Sequence, residues 1–239
     1  MKAVILAAGV GSRIRPLTDS SHKSLLPVKG VTILERMLLN IELVGIKDIV
    51  IVTGYLADQI KTVVKKTFPK LNISFVHNDR YEITNTGYSL LLTKEHVDNS
   101  DFVKFDADVV FDASVLQNLL DNKNPNCLCI DTNIHLDKEE VKVALSKEGA
   151  VKAVSKKLDP KNSHGESIGI EKISKEAGVI LFNELSRLMM DSKNHQEYYD
   201  DSYTTLVNKD VPFHAVNITG HRWVEIDTHD DYHRANSIF

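Results

Sequence analysis

Cysteine is scarce in this chain: two residues in 239, too few for a disulfide framework. They stand as Cys127-Leu128-Cys129, a spacing that matches neither a zinc site nor a redox pair. On a strand the two thiols would share one face and enter the core. A reduced, cytoplasmic setting is the expectation. Long apolar runs are missing too; none approaches the ~18 residues of a membrane-spanning helix, so no membrane insertion is expected. Lys2 is the only basic residue before the N-terminus turns to glycine, which makes a poor secretory leader. Neither sign of charge dominates, with 29 Lys and Arg against 33 Asp and Glu. That balance argues against a nucleic-acid partner but permits a local basic pocket. No linker, repeat or low-complexity tract interrupts the chain. What remains, 42% hydrophobic and 26% charged, is ordinary globular composition, and one α/β domain is the expectation.

The most informative stretch comes first. Residues 3–6 are an apolar run that reads as a buried strand, and Leu6 leads into Ala7-Ala8-Gly9-Val10-Gly11-Ser12-Arg13. Small residues there leave backbone N–H groups bare for anionic oxygens. Arg13 and, ten positions on, Lys23 bring full positive charge beside them. The stretch lacks the third glycine of a dinucleotide fingerprint, since Ile14 stands in its place, and it has no Gly-Lys-Ser/Thr of a P-loop. Read from its residues, it is a polyphosphate cradle at the carboxyl end of a strand.

Apolar spacing then predicts strands over residues 47–53, 72–76, 102–105 and 127–131, alternating with helices over 33–43, 57–68, 87–96 and 113–120. Such alternation implies a Rossmann-like α/β fold, a mostly parallel mixed sheet flanked by helices on both faces. After Asp131 the rhythm changes to a small β-rich insertion. Residues 141–145 and 151–154 read as a hairpin around Glu148-Gly149. A polar loop holding Lys156-Lys157 and Gly165-Glu166 follows, and residues 179–182 read as a return to the sheet. Helices are expected at 184–190 and 196–207, strands at 213–218 and 223–226, and a closing helix at 229–238.

Two acidic groups stand at strand ends, where α/β sheets bind ligands. Asp106-Ala107-Asp108 follows the 102–105 strand, and Glu225-Ile226-Asp227-Thr228 ends the last one. Carboxylates are hard oxygen ligands suited to Mg²⁺, although turn aspartates are common and Asp227 is also placed to cap the closing helix. Two acids from distant segments, Asp108 and Asp227, closing on one Mg²⁺ would turn a phosphate cradle into a site for phosphate chemistry.

With these residues in hand, the chain resembles the nucleotidyltransferases that activate phosphorylated sugars and alcohols with a nucleoside triphosphate. The opening motif, Lys23-Ser-Leu-Leu-Pro-Val, the Asp-Ala-Asp strand end and the late Glu-Ile-Asp-Thr carry that likeness. Asn78-Asp79-Arg80-Tyr81, Asn85, Tyr88-Ser89-Leu90, Lys156 and Gly165-Glu166-Ser167-Ile168-Gly169 resemble the small cytidylyltransferases that act on phosphocholine, 2-aminoethylphosphonate and related phosphoesters. The resemblance implies a single GT-A-like nucleotidyltransferase domain over residues 1–239. Residues 1–131 would be its nucleotide-binding half and 132–239 its acceptor-binding, metal-completing half. It implies CTP and a small phosphorylated acceptor as partners, with a homo-oligomer left open. Arg13 would meet the β and γ phosphates and Lys23 the α-phosphate, with Leu6, Ala8, Gly9, Gly11, Asn85, Ser89 and Asp106 around the nucleotide. Lys156, with Lys157 as rival, would meet the acceptor's phosphate, and Glu166 or Asp200 its amine or hydroxyls. A sugar-1-phosphate enzyme using UTP, dTTP or GTP is the alternative within enzymes. A non-catalytic nucleotide-binding domain is the alternative outside them, and it would be marked by loss of Lys23, Asp108 or Asp227.

Overall fold

A computed structural model describes residues 1–239. Strand β1 (Lys2–Ala7) is the middle of the fold, and its side chains alternate between two hydrophobic clusters. Ala3, Ile5 and Ala7 enter one, and Val4 and Leu6 the other. A short hairpin, β2 (Pro27–Val28) and β3 (Val31–Thr32), leads into α1 (Ile33–Leu43). A capping box starts that helix: Glu35 N–H donates to Thr32 Oγ1, and the Glu35 carboxylate accepts from Thr32 N–H, an arrangement worth roughly 1 kcal/mol. Then come β4 (Asp48–Thr53), α2 (Ala57–Thr67), β5 (Asn72–His77), α3 (Thr86–Leu91), α4 (Lys94–Val97) and β6 (Phe102–Asp106). The expected 87–96 helix is therefore two pieces, because Thr93 Oγ1 turns back onto the Leu90 carbonyl between them. Strands β6, β1, β4 and β5 lie side by side and parallel, as the alternation requires.

The remaining elements are β7 (Val109–Phe111), α5 (Ala113–Asp121), β8 (Cys127–Asp131), β9 (Lys142–Leu145), β10 (Val151–Ser155), β11 (Gly165–Ile173), α6 (Lys175–Met189), α7 (Asp200–Val207), β12 (His214–Asn217), β13 (Trp223–Glu225) and α8 (His229–Ile238). Three expectations need correction here. The polar loop around Gly165-Glu166 is strand β11, buried along its whole length and antiparallel to β6, β8 and β9. Glu171 pairs with buried Lys104, and Lys172 donates to the Asn122 carbonyl, which helps so polar a segment enter a core. Residues 179–182 lie inside α6, whose start is fixed by Ser174 accepting from Ala177 N–H. The 196–207 helix begins only at Asp200, after a 3-10 turn over Ser192–Gln196.

β11 organises the second half of the nine-stranded sheet. On the edge away from β8 it pairs first with β9, through Gly165 and Glu166, and then with β6, from Ile170 onward. The fork between β9 and β6 opens beside the carboxyl end of β6. Gly169 sits in that fork at φ 73°, where a Cβ would lie 2.4 Å from Asp106 Oδ2, so only glycine lets Asp106 pack there. Helices α1, α2 and α5 cover one face of the sheet, while α6 and α7 cover the other. Cys127 and Cys129 are both free and buried in the first cluster, on one face as expected. No helix is long and apolar enough to cross a membrane.

Candidate active site

A cleft of about 290 Å³ opens at the carboxyl ends of β1 and β6. Its first wall is the opening loop. Gly11 adopts φ 65°, and a Cβ there would stand 3.1 Å from Lys23 Cβ, so glycine lets the loop lie against that lysine. The 3-10 turn Ser12–Ile14 follows, with Ile14 buried beneath it and Arg13 facing the cleft. Lys23 opens a second 3-10 turn, capped by His22, whose Nδ1 accepts from Ser24 N–H at 3.1 Å.

The late acids meet these cations because of a two-stranded ribbon. β7 and β13 pair antiparallel, with Val109 opposite Glu225, and Ile226 N–H donates to the Asp108 carbonyl at 3.0 Å. That ladder holds Asp108 and Asp227 side by side. Lys23 Nζ donates to Asp108 Oδ2 at 2.8 Å and to Asp227 Oδ1 at 2.7 Å. Arg13 Nη2 donates to Asp227 Oδ2 at 2.6 Å. Thr228, not Asp227, caps α8, through a capping box with Asp231, so the Asp227 carboxylate is left for the cleft. Burial opposes the Lys23 charge, but Asp108 and Asp227 outweigh it and hold the ammonium above the ordinary lysine range. Burial likewise pushes Asp108 up, and Lys23 more than offsets it, so Asp108 stays below the ordinary carboxylate range.

Glu225 joins these two acids. One oxygen from each of Asp108, Glu225 and Asp227 lies within 4.8 Å of the others. Burial, and then the charges of Asp108 and Asp227, raise the Glu225 carboxyl well above its usual range. Asp108 Oδ1 is buried with no protein partner. Three hard oxygen donors and one orphaned lone pair fit a divalent cation of the Mg²⁺ type.

Under the cleft lies a second, drier set of charges. Lys104, fully buried on β6, pairs with Glu171 Oε2 at 2.8 Å and with Asp106 Oδ2 at 3.1 Å, and donates to the Gly169 carbonyl at 3.2 Å. Tyr199 OH contacts both Lys104 and Asp106. Burial disfavours the Lys104 charge, but Asp106 and Glu171 outweigh it and raise its pKa. Burial raises Glu171 to about 8 and Asp200 to about 7, in both cases against the pull of Lys104.

A sequence profile for the MobA-like NTP transferase domain matches residues 3–149. The chain belongs to that family. Among relatives, a choline-phosphate cytidylyltransferase of Haemophilus influenzae is 40% identical over 115 residues, 48% of this chain. That match spans about half, 47%, of the relative's own length. A CTP:phosphoglutamine cytidylyltransferase of Campylobacter jejuni is 29% identical and is covered at 97% of both chains. Among solved structures, a CTP:phosphocholine cytidylyltransferase from Streptococcus pneumoniae superposes with a TM-score of 0.80 at 23% identity, over 99% of this chain and 98% of that one. The likeness at that identity is one of fold, and it matches the GT-A-like nucleotidyltransferase expectation.

Within this NTP transferase fold, most of the expected site residues line one cleft. Leu6, Gly9, Gly11, Arg13, Lys23, Asn85, Asp106, Asp108, Lys156, Asp200 and Asp227 are all among its walls. Ala8, Ser89 and Glu166 are not. Ser89 lies beneath, where its Oγ accepts from Asn78 Nδ2 at 3.1 Å. Glu166 is buried on β11, where desolvation raises it to about 8. Asn85 is partly committed, since its Oδ1 caps α3 by accepting from Thr86 N–H at 2.8 Å. Lys157 turns outward to Asp201 and Glu197, at 3.4 and 3.8 Å. Sequence reasoning missed Glu225 as a metal-site acid and buried Lys104. Only Glu225 left a readable signal: two positions before Asp227 on a strand, it faces the same way.

Proposed function

We propose that this chain is a metal-dependent cytidylyltransferase that transfers CMP from CTP to a phosphate or phosphonate oxygen of a small acceptor. One observation carries the reading: Arg13 and Lys23 converge on Asp108 and Asp227 in a cleft walled by the glycine loop. That relatives are named as cytidylyltransferases supports CTP as the nucleotide in this reading. A non-catalytic domain would be expected to lack Lys23, Asp108 or Asp227, and all three are here.

In this reading an acceptor oxygen bonds to the α-phosphorus as the bond to the bridging oxygen breaks, and pyrophosphate departs with the electron pair. No protein nucleophile or general base is required, because a phosphomonoester is already ionised near neutral pH. Catalysis then rests on positioning and on charge stabilisation. Arg13 offers its fork of donors to the β and γ phosphates, where negative charge grows. Lys23, kept protonated by its two aspartates, follows the α-phosphate as its geometry changes. Asp108 and Asp227, with Glu225 beside them, would hold Mg²⁺, which supplies Lewis-acid charge neutralisation and a template for phosphate oxygens when bound. Loop backbone at Ala8 and Gly9, together with Asn85, is assigned to the base, and Ser89 to supporting that pocket through Asn78. Lys156 is assigned to the acceptor's phosphate.

Pyrophosphate release with CTP, UTP, dTTP and GTP against a panel of phosphorylated acceptors tests this directly. CTP dependence that EDTA abolishes and Mg²⁺ restores is expected. Preference for another nucleotide with a sugar 1-phosphate would replace this reading with a sugar-nucleotide enzyme, and silence with every nucleotide would favour a non-catalytic domain.

A further inference from the structure

The floor of the cleft holds one buried polar group with no part in the chemistry above. His22 is 2% exposed and lines the cleft beneath the exposed glycine loop. Its backbone is anchored: His22 N–H donates to Gln59 Oε1 at 3.1 Å, and Gln59 Nε2 donates to the Ser20 carbonyl at 2.9 Å. In the ring, Nδ1 accepts from Ser24 N–H at 3.1 Å, with Ser24 Oγ 2.9 Å from the same atom. An imidazole nitrogen that accepts carries no proton, so the neutral ring keeps its proton on Nε2. Nε2 is buried and has no hydrogen-bond partner, an expensive state for a donor.

The loop above the ring has a matching acceptor. The Ala8 carbonyl accepts from Tyr55 N–H at 3.1 Å, and the Gly11 carbonyl from Thr18 Oγ1 at 2.8 Å. The Gly9 carbonyl accepts from no protein N–H. The Gly9 and Ala7 backbones lie against the His22 ring and favour its protonated form, as carbonyl oxygens do. A trans peptide points its carbonyl and its N–H to opposite sides. Turning the Gly9 carbonyl onto Nε2–H therefore turns the Val10 N–H away from the ring. Gly9 leaves room for that turn, since a Cβ on it would meet nothing within 4 Å.

We propose that His22 is a positioning residue for the nucleotide: in the bound state its Nε2–H holds the Gly9 carbonyl, so that the Val10 N–H is presented to the triphosphate. Its Nδ1 meanwhile starts the turn that carries Lys23, so one imidazole ties that turn to the loop leading to Arg13. This deepens the nucleotide-site reading above and rests on it. The ring can make both bonds only when neutral. Burial and then the Lys23 charge, which lower it to about 4, keep it so.

Two variants separate the two ring nitrogens. Asn at this position can accept from Ser24 N–H but stops short of the loop, whereas Gln reaches the loop with an amide N–H in place of Nε2–H. The test measures melting, pyrophosphate-release kinetics and calorimetric binding of CTP, UTP, dTTP and GTP. A neutral hydrogen bond predicts that His22→Asn weakens nucleotide binding by about three- to tenfold. The loss should appear in the nucleotide KM with acceptor KM unchanged, and melting should stay near wild type. His22→Gln should bind within about twofold of wild type but melt lower, because the Ser24 cap is lost. A residue that merely supported the fold would move melting and affinity together. ¹⁵N spectra of the wild type should show the Nε2–H tautomer, with Nε2 and the Val10 amide shifting when nucleotide binds. Wild-type affinity in His22→Asn, equal losses in both variants, a proton on Nδ1, or no nucleotide bound at all would overturn the proposal. The crossed pattern with another nucleotide in place of CTP sustains it while removing the cytidylyl reading; CTP turnover untouched in His22→Asn does the reverse. Should either variant fail to fold, the wild-type spectra decide: the Nε2–H tautomer with a nucleotide-dependent Val10 shift sustains the proposal, and an unmoved Val10 amide overturns it.

Discussion

Two groups of acids meet where β6 ends, one around Asp106 and the other around Asp108, and they behave as different materials. The outer group, Asp108, Glu225 and Asp227, is partly open, and its cations Arg13 and Lys23 come from the opening loop. The inner group, Asp106 and Glu171 with Asp200 beside them, gathers round Lys104; the Lys104–Glu171 pair is fully buried, while Asp106 and Asp200 reach the wall of the cleft. The outer charges can trade partners with phosphates and a cation at modest cost because solvent reaches them. Lys104 and Glu171 cannot, since an unpaired charge in a dry interior costs several kcal/mol. In the proposed function the outer group serves the chemistry, and the buried Lys104–Glu171 pair supports the floor beneath it.

Substitution should separate the two. The largest loss of activity is expected from Asp108→Ala. Turnover should fall on the order of 10³-fold, since a metal site supplies several kcal/mol of charge stabilisation. Its circular dichroism and melting should stay near wild type, and an active Asp108→Ala would remove the metal assignment. Lys104→Met should act the other way round, through stability. Stranding buried carboxylates costs about 3–5 kcal/mol, to be read from urea unfolding, and an unshifted midpoint would show that the inner group does not depend on its lysine.

Proton uptake gives a third contrast, which follows from the inner acids. In the folded protein Glu166 and Glu171 titrate at about 8 and Asp200 at about 7, all raised by burial. The folded state thus keeps protons that the unfolded chain has released. Their stabilisation is complete below the unfolded carboxyl range and is lost as pH rises through 7 to 8. His22 opposes this: burial lowers it to about 4, so its contribution is present above its unfolded pKa and is lost as pH falls through 4. Three acids outweigh one histidine, and the melting temperature should drop between about pH 5.5 and 8.5. A flat profile would contradict the inner group's titration, and Asp200→Asn should flatten the wild-type slope in part. The smallest effect belongs to Lys157→Ala. Its ion pairs to Asp201 and Glu197 are on the surface, so stability should change by less than ~1 kcal/mol and acceptor KM not at all, whereas Lys156→Ala should raise acceptor KM.

What was legible in the sequence follows the same division. The opening loop, Asp108 and Asp227 were readable because glycine, a basic residue and strand-end acids have few other reasons to occur together. The parallel half of the sheet was readable because β1 and β4 are apolar on both faces and β6 is apolar on one. β11 was not, since Glu166, Glu171 and Lys172 read as a solvated loop until the partners of the last two are known. Lys172 Nζ, for instance, donates to the Asn122 carbonyl at 2.6 Å, far off in sequence. In α6 the run Val179-Ile180-Leu181-Phe182 has strand-like composition, and tertiary burial of one helix face overrides it. Lys104 in a strand between Val103 and Phe105 gave no local sign that its charge would be kept and buried.

One contact reaches further than its size suggests. Trp223 Nε1–H donates to Asp131 Oδ2 at 2.8 Å, tying the last residue of β8 to the first of β13. Everything between them, including Lys156, β11 and Asp200, leaves from and returns to that one clasp. The two strands bearing Asp108 and Asp227 are zipped together on the near side of it. On the proposed function, acceptor choice and metal geometry are thereby carried by different stretches of the chain. Changes within the looped-out stretch would then alter acceptor fit while the β7–β13 ladder keeps the spacing of the two aspartates.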